Sequence, residues 1–169
     1  MNHRSILNVS VLTVLALSVM SGSTIAQQKS LKDQLVGTWT LVEAIDVRPD
    51  GSKFNPWGSN PLGTYMFDAS GRFAQMLIRS DLPKLPNRAK GTAEQNQAIV
   101  AGSVAMYGTY SVNEADKVIT VHFEGSTFAG FNGTDGKRTI VSLTADELRT
   151  TNPNTSTGTR ADSVWKRAK

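Results

Sequence analysis

His122 and Glu124 are the two residues of this chain whose types and spacing could support proton transfer. In an extended strand, side chains two residues apart project from the same face, about 7 Å apart along it. A histidine on such a face can move a proton near neutral pH while the carboxylate fixes its tautomer. The same pair could instead bind the polar end of a ligand. The spacing therefore predicts either a proton-transfer site or a polar contact for a bound molecule.

The orientation of the predicted strand 117–124 decides whether this pair reaches an interior. Ile119, Val121 and Phe123 form the more apolar alternate set, which is the natural inward face of a half-buried strand. That pattern puts the histidine and the carboxylate on the outer face. A lone histidine there has a structural role more often than a catalytic one.

Glu43 is a second candidate, because it is a carboxylate in phase with Trp39 and Leu41 in the first predicted strand. One interpretation is that the strand bends or reaches an open rim, which leaves Glu43 in water. The other is a ligand-facing acid paired with Arg79 or Arg138, since an unpaired buried carboxylate would be costly. Both interpretations stay open on the sequence.

Large apolar and aromatic residues in the other strands belong to the core by default, and some of them would line a pocket if the fold encloses one. The residues of this kind that we expect near a ligand are Tyr65, Phe67, Met76, Tyr110 and Phe128.

Other kinds of site gain no support from the sequence. The chain has no cysteine, one histidine after residue 26 and scattered carboxylates, so it lacks the dense ligand spacing of a zinc site. It has no Gly-X-Ser-X-Gly nucleophile elbow. Residues 125–136 are rich in glycine but lack the lysine of a phosphate-binding loop, and we predict a flexible loop there. We therefore expect no metal and no cofactor.

Eight strand candidates and one helix make up the predicted fold. Their two-residue alternation and short turns predict antiparallel hairpins. Such strands close into an up-and-down barrel without exposed edges, and eight strands leave room for side chains or one small ligand. An open sandwich is the alternative. The strands are Leu35–Val47, Leu62–Asp68, Arg72–Ser80, Tyr107–Asn113, Lys117–Glu124, Lys137–Leu143, Glu147–Thr151 and Arg160–Arg167, and the helix, Ala93–Met106, lies between the third and the fourth.

Residues 1–26 have the layout of a secretory signal peptide. Arg4 supplies the positive start, Ile6 to Met20 form the apolar stretch, and small residues precede Gln27. An N-terminal membrane anchor is the alternative, although the apolar run is short for a bilayer span. We expect cleavage, a mature domain at 27–169 without stable membrane insertion, and a secreted or periplasmic location.

The charge of the mature chain gives no support to nucleic-acid binding. Without Arg4, the number of Lys and Arg residues falls from 18 to 17 against 14 Asp and Glu residues, which leaves a net charge of +3. These charges are scattered rather than gathered into a basic block.

An ordered set of motifs runs along the predicted barrel. The motifs are Leu35-Val36-Gly37-Thr38-Trp39, Asn60-Pro61-Leu62-Gly63-Thr64-Tyr65 with Phe67, Gly71 and Arg79, Tyr107-Gly108-Thr109-Tyr110, His122-Phe123-Glu124-Gly125-Ser126, Arg138, and Val164-Trp165. Together they resemble the lipocalin-like domain family that is widespread in bacteria and fungi, and the resemblance covers nearly all of residues 35–167.

The resemblance implies a calycin-type barrel with an interior cavity for a small, largely apolar molecule. In true lipocalins an arginine of the last strand covers the tryptophan of the first, and here Arg160 or Arg167 could do this. The family motif retains polar residues around His122, so an inward orientation of that side chain stays open. Some members sit in polyketide pathways, where a cyclase-like role has been suggested.

Three functional hypotheses follow. The first is a secreted or periplasmic protein that binds a small hydrophobic molecule, with selectivity from polar groups among Glu43, Arg79, His122 and Arg138. The second is a cyclase or isomerase that acts in the same cavity, with the His–Glu pair as proton-transfer groups. The third is a structural envelope protein whose barrel is filled by its own side chains.

Overall fold

The computed structural model describes residues 29–169, so the predicted signal peptide lies outside the described residues. All strands belong to one antiparallel sheet. Within residues 29–169, no helix is long and apolar enough to cross a membrane. The strands are β1 (Gly37–Val47), β2 (Lys53–Phe54), β3 (Leu62–Phe67), β4 (Arg72–Ile78), β5 (Ser103–Asn113), β6 (Val118–Ser126), β7 (Asp135–Leu143), β8 (Glu147–Asn152) and β9 (Arg160–Arg167), and the helices are α1 (Leu31–Leu35), α2 (Ala93–Ala101) and a 3-10 turn (Ala129–Phe131).

The sheet closes into a barrel because β1 pairs with both β3 and β9. From β3 to β9, strands that are neighbours in sequence are also neighbours in the sheet. The two-residue strand β2 only adds to the end of β1 and takes no part in the closure. The predicted eight-stranded antiparallel up-and-down barrel, with one helix between its third and fourth long strands, is therefore confirmed, and the open sandwich is wrong.

The two ends of the barrel differ in how they are filled. We call the floor the end at which β1 begins and β9 ends, and the mouth the opposite end. The helix α1 lies at the floor, and its last residue, Leu35, has no exposed surface. Aromatic and branched side chains fill the interior above it. The largest fully buried ones are Trp39, Trp165, Tyr65, Ile119, Leu148 and Val121.

The floor is sealed by an arginine from the last strand. Arg167 lies opposite Trp39 in the register of β1 and β9, and its guanidinium carbon is 4.1 Å from the centre of the indole ring system. Arg160 lies at the mouth end of β9 and forms an exposed ion pair with Asp162. Of the two arginines that the resemblance offered, Arg167 therefore covers the tryptophan.

A β-bulge in β1 changes which of its side chains face inward. The register between β1 and β9 shifts between Leu41 and Glu43, so Val42 is the extra residue. Beyond the bulge, Ala44 and Asp46 are buried and Glu43 is exposed. The interpretation in which the strand bends and leaves Glu43 in water therefore agrees with the structure, and the interpretation of Glu43 as a ligand-facing acid does not.

The helix α2 is shorter than predicted. It begins after a capping box at Thr92 and ends at Ala101, whereas the sequence predicted an end at Met106. Gly102 caps it, and the chain then enters β5, where Val104 and Met106 pair with β4. The apolar residues beyond Ala101 therefore follow the two-residue period of a strand and not the period of a helix.

Candidate functional site

The predicted proton-transfer pair lies on the outer surface of the barrel. His122 Nδ1 is 2.7 Å from a carboxylate oxygen of Asp135 on β7, and both side chains are at least half exposed. Glu124 accepts two hydrogen bonds from the Arg72 guanidinium on the same outer face. The apolar alternate set of β6 is buried instead, as its periodicity indicated. The sequence pattern of this strand was therefore the better guide to its orientation.

Three more of the predicted ligand contacts lie outside the interior. Met76 belongs to the outer alternate set of β4 and is exposed. Arg79 follows the end of β4 and forms a paired hydrogen bond with the carboxylate of Asp81. Phe128 is half exposed at the start of the 3-10 turn, where its ring meets the edge of Phe131 at 5.0 Å. With Glu43, His122 and Glu124, these residues are positioned away from any ligand inside the barrel.

Four predicted residues do face inward, and two of them belong to the packing of the floor. Phe67 and Tyr110 meet edge to face with ring centres 4.9 Å apart. The Tyr110 hydroxyl donates a hydrogen bond to the carbonyl oxygen of Asp68 at 2.8 Å. Their polar and apolar surfaces are thus already used by the protein. Of the other two, Arg138 lines a cavity higher in the barrel, and Tyr65 packs against Trp165, which lines the same cavity.

That cavity occupies the mouth half of the barrel and has a volume of about 170 Å³. A cavity of about 150 Å³ is large enough to bind benzene, so this one has room for a molecule of one ring or a short chain. Apolar side chains form much of its wall, and polar ones interrupt it. The lining includes Ala44, Leu77, Val104, Met106, Phe131 and Trp165 on the apolar side, and Asp46, Gln75, Arg138, Thr150 and Ser163 on the polar side.

Two buried hydrogen-bond donors of the interior have no partner within the described chain, and one of the two side chains, Trp165, lines this cavity. They are the indole Nε1–H of Trp165 and the hydroxyl of Tyr65, and both side chains are 1% exposed. Their rings lie 5.4 Å apart. Burial raises the pKa of Tyr65 to about 12, although the charge of Arg138 opposes that shift. At neutral pH the hydroxyl is therefore protonated and able to donate.

Arg138 brings a positive charge to the same interior. It follows Gly136 in the inward alternate set of β7 and is partly buried. Burial away from water lowers the pKa of its guanidinium, and the nearby Tyr65 hydroxyl opposes this shift. An arginine remains charged under these conditions, so the cavity contains a cation whose solvation by water is incomplete.

Asp46 is a cavity residue that the sequence reasoning missed. Its carboxylate accepts a hydrogen bond from the Thr159 hydroxyl. Burial raises the pKa of Asp46, the hydrogen bond from Thr159 opposes this effect, and the negative charge of Asp162 adds to it. The bulge at Val42 hid this residue from the alternation pattern.

Gln75 was missed too, although a signal for it existed. It alternates with Phe73 and Leu77 in β4, and this set faces inward. A polar residue in phase with two apolar ones marks a polar position on the inner face of a strand.

The arrangement suits binding better than catalysis. The two donors and the guanidinium can bind an acceptor or an anion, and the apolar wall can cover the rest of a molecule. No group of three or more His, Cys, Asp and Glu residues within residues 29–169 is placed to hold a metal ion.

The solved structures that are similar to this chain include three barrels. A lipocalin-like protein from Bacteroides uniformis has a TM-score of 0.45 and 15% identity, with 80% of this chain and 99% of that chain covered. A de novo designed fluorescence-activating β-barrel has a TM-score of 0.44 and 14% identity, with 83% and 99% covered. A bovine odorant-binding protein, solved with a selenium-containing odorant, has a TM-score of 0.43 and 15% identity, with 83% and 74% covered.

Comparison with curated proteins returned no match. The family model described as the lipocalin-like domain, however, matches residues 36–168, which span the whole barrel from the start of β1 to the end of β9. The chain therefore belongs to the lipocalin-like domain family, as its sequence motifs indicated.

Proposed function

We propose that this chain is a secreted or periplasmic protein that binds a small, largely hydrophobic molecule in the mouth half of its barrel. The cavity supports this proposal because about half of its lining residues are apolar, among them Leu77, Phe131 and Trp165, and the remainder offer polar groups that can orient a bound molecule. Membership of the lipocalin-like family agrees with such a role.

The observation that carries the proposal is the pair of buried donors on Tyr65 and Trp165. A buried donor without a partner costs roughly 1–3 kcal/mol, and native proteins contain few of them. In a barrel filled only by its own side chains, nothing would offset the free-energy cost of burying these two donors. A ligand that accepts hydrogen bonds would offset them, so the donors favour the binding protein over the structural envelope protein.

The enzyme hypothesis loses its proposed proton-transfer groups. His122 and Glu124 contact Asp135 and Arg72 on the outer face, on the other side of the sheet from the cavity. A general base must lie within hydrogen-bond reach of the proton that it abstracts. A molecule in the barrel is out of reach of both groups, so binding without turnover is the function that the geometry favours.

The location rests on the sequence. Residues 1–26 combine a positive start, an apolar stretch and small residues before Gln27, which is the layout that secretion signals share. Fractionation of the native host would test this part: the mature protein, starting at Gln27, is expected in the periplasm or the medium. Recovery of the uncleaved chain in the membrane would contradict it.

Native mass spectrometry of the protein purified from its own host tests the binding function. We expect a bound small molecule at one per chain. Ala161→Phe, which fills the cavity wall from β9, should remove the extra mass. Val164→Phe on the outer side of the same strand is the matched control and should retain it. An extra mass that survives Ala161→Phe in a folded protein, or no bound molecule at all, would overturn the proposal.

A further inference from the structure

We propose that the ligand is a small organic acid whose carboxylate binds the guanidinium of Arg138, while its apolar body occupies the rest of the cavity. This inference rests on the proposed function and narrows it to one chemical class. Three features of the interior carry it: the position of Arg138, the lack of an acidic partner, and the kind of polar group around it.

The first feature is that β7 delivers this arginine to the inside of the barrel. Gly136, Arg138 and Ile140 form the inward alternate set of the strand, and Ile140 is buried in the core. Across the sheet, Arg138 lies opposite Ile119, which has no exposed surface. A long cationic side chain usually keeps its charge in water, so a guanidinium held against the core is costly unless it binds an anion.

The room around the guanidinium is supplied by Gly136. A Cβ atom at Gly136 would lie 3.0 Å from the Phe123 ring and 3.2 Å from Nη1 of Arg138. Both distances are tighter than ordinary van der Waals contact. The absence of a side chain at this position therefore lets the arginine lie between its own strand and the aromatic core.

The second feature is that the protein does not neutralise this charge. Within residues 29–169, none of the ion pairs includes Arg138. Its guanidinium donates one hydrogen bond, from Nη1 to the carbonyl oxygen of Lys137 at 2.8 Å. A guanidinium has five N–H donors, so most of them remain for a ligand. Asp46 lines the same cavity, but its carboxylate accepts a hydrogen bond from Thr159, and none of the ion pairs within residues 29–169 joins it to the arginine.

The third feature is that the two buried side-chain atoms left without a hydrogen-bond partner in the described chain belong to groups that can donate. The Trp165 indole can only donate, and the Tyr65 hydroxyl has no acceptor within the described chain. Two N–H groups of an arginine match the two oxygens of a carboxylate in a paired geometry. A ligand with a carboxylate would therefore find a cation and further donors, whereas an amine placed beside Arg138 would meet a like charge.

The size of the cavity limits the acid to a small one. A volume of about 170 Å³ holds a single ring or a short chain beside the carboxylate. The side chains of Leu77, Val104, Met106 and Phe131 offer the apolar surface for that part. The chain of a long fatty acid could not be enclosed within this volume, so we expect aromatic or short aliphatic acids.

Binding of matched ligands tests the inference on the full mature protein. The probes are benzoate, benzamide and benzylamine, which share one ring, and hexanoate with hexanamide, which share one chain. Isothermal titration at neutral pH gives each Kd. We expect each acid to bind at least tenfold more tightly than its amide, because a charged hydrogen bond contributes roughly 1.5–3 kcal/mol and 1.4 kcal/mol is a factor of ten. Benzylamine should bind most weakly.

Variants then assign the preference to one side chain. Arg138→Gln should remove the tenfold preference for the acid while binding of the amide persists. Arg138→Lys keeps the positive charge but loses the paired N–H donors of the guanidinium. It should therefore retain only part of the preference for the acid over the amide. Arg149→Gln is the matched control, because this arginine of β8 pairs with Glu147 on the surface. It should leave the Kd of every probe unchanged.

The outcomes separate this inference from the function on which it rests. Amides that bind as tightly as the acids would overturn the inference and leave the binding function standing. An acid preference that persists in both folded Arg138 variants would also overturn it, since another group would then hold the carboxylate. If none of the five probes binds and native mass spectrometry finds no ligand, the proposed function itself is wrong.

Discussion

The guanidinium of Arg167 lies over the indole ring of Trp39 and ties together three pieces of backbone at the floor of the barrel. Its carbon is 4.1 Å from the ring centre. Its nitrogens donate hydrogen bonds to the carbonyl oxygens of Val36, Gln34 and Ala145. One side chain thus joins the start of β1, the helix α1 and the turn before β8, which are the elements that close the floor.

Arg167→Ala should therefore destabilise the barrel by about 2–4 kcal/mol. The cation–π contact contributes about 0.5–2 kcal/mol, and hydrogen bonds from a charged donor add about 1.5–3 kcal/mol. Urea unfolding, followed by tryptophan fluorescence, gives the change in free energy of unfolding. Arg160→Ala is the control, because its exposed ion pair with Asp162 is worth about 1 kcal/mol at most. Equal losses in the two variants would show that Arg167 does not seal the floor.

His122→Ala should leave both ligand binding and stability nearly unchanged. The imidazole pairs with Asp135 on the outer face, and an exposed pair of this kind contributes about 1 kcal/mol or less. Calorimetric titration with benzoate and a thermal melt would check both quantities. A loss of affinity above about threefold, or of turnover on any bound compound, would return the histidine to the functional site and contradict the outward orientation of β6.

The sequence predicted the barrel well because each strand carries its orientation in its own residues. In β6 the apolar set of Ile119, Val121 and Phe123 faces inward as the alternation required. The same rule would have placed Gln75 inside from its phase with Phe73. A period of two depends only on local residue types, so it can be read without knowing the neighbouring strands.

The rule failed where a neighbouring strand sets the register. The bulge at Val42 arises from the pairing of β1 with β9, which is more than a hundred residues away in sequence. It places Glu43 outside and Asp46 inside. The carboxylate in phase with Trp39 and Leu41 hinted at a bend, but the alternation of β1 did not locate the extra residue. The lack of an acidic partner for Arg138 is likewise a property of several strands together, so the sequence could name the residue but not its role.

Asp46→Asn should stabilise the protein at neutral pH and much less at acidic pH. The pKa of Asp46 is raised above its ordinary value of 3.8 in the folded state, chiefly by burial. Below pH 3.8 the carboxyl is protonated in both the folded and the unfolded protein, so its burial does not lower the stability of the folded state. As the pH rises through the folded pKa, the unfolded state loses the proton more readily, so the folded state loses stability. The Tm of the variant should therefore exceed that of the wild type at pH 7 and approach it at pH 3.

Asp50 provides the control for this pH dependence, because its pKa is shifted in the opposite direction. Hydrogen bonds from Ser52 lower the pKa of the exposed Asp50, so its stabilising effect is present at neutral pH and is lost in acid. Asp50→Asn should thus lower the Tm at pH 7 and leave it unchanged at low pH. If the Tm of both variants changed in the same direction at pH 7, that result would contradict the burial of Asp46 at the mouth of the cavity.

Tyr65→Phe should stabilise the ligand-free protein and lower its affinity for an organic acid. The hydroxyl of Tyr65 is buried without a partner in the described chain, so its removal should raise the free energy of unfolding by about 1 kcal/mol. Tyr110→Phe is the control, because that hydroxyl donates to the carbonyl oxygen of Asp68 and its loss should cost about the same amount. Opposite signs in urea unfolding are the expected result.

The same pair of variants separates a ligand-binding donor from a packing defect. If the Tyr65 hydroxyl serves a bound carboxylate, Tyr65→Phe should weaken benzoate severalfold while benzoate affinity in Tyr110→Phe stays unchanged. Stability gained at the expense of affinity is the signature of a site whose polar groups are kept for a ligand. A Tyr65→Phe protein that is less stable than the wild type would mean that the hydroxyl has a partner in the fold, and the strongest support for an occupied cavity would be lost.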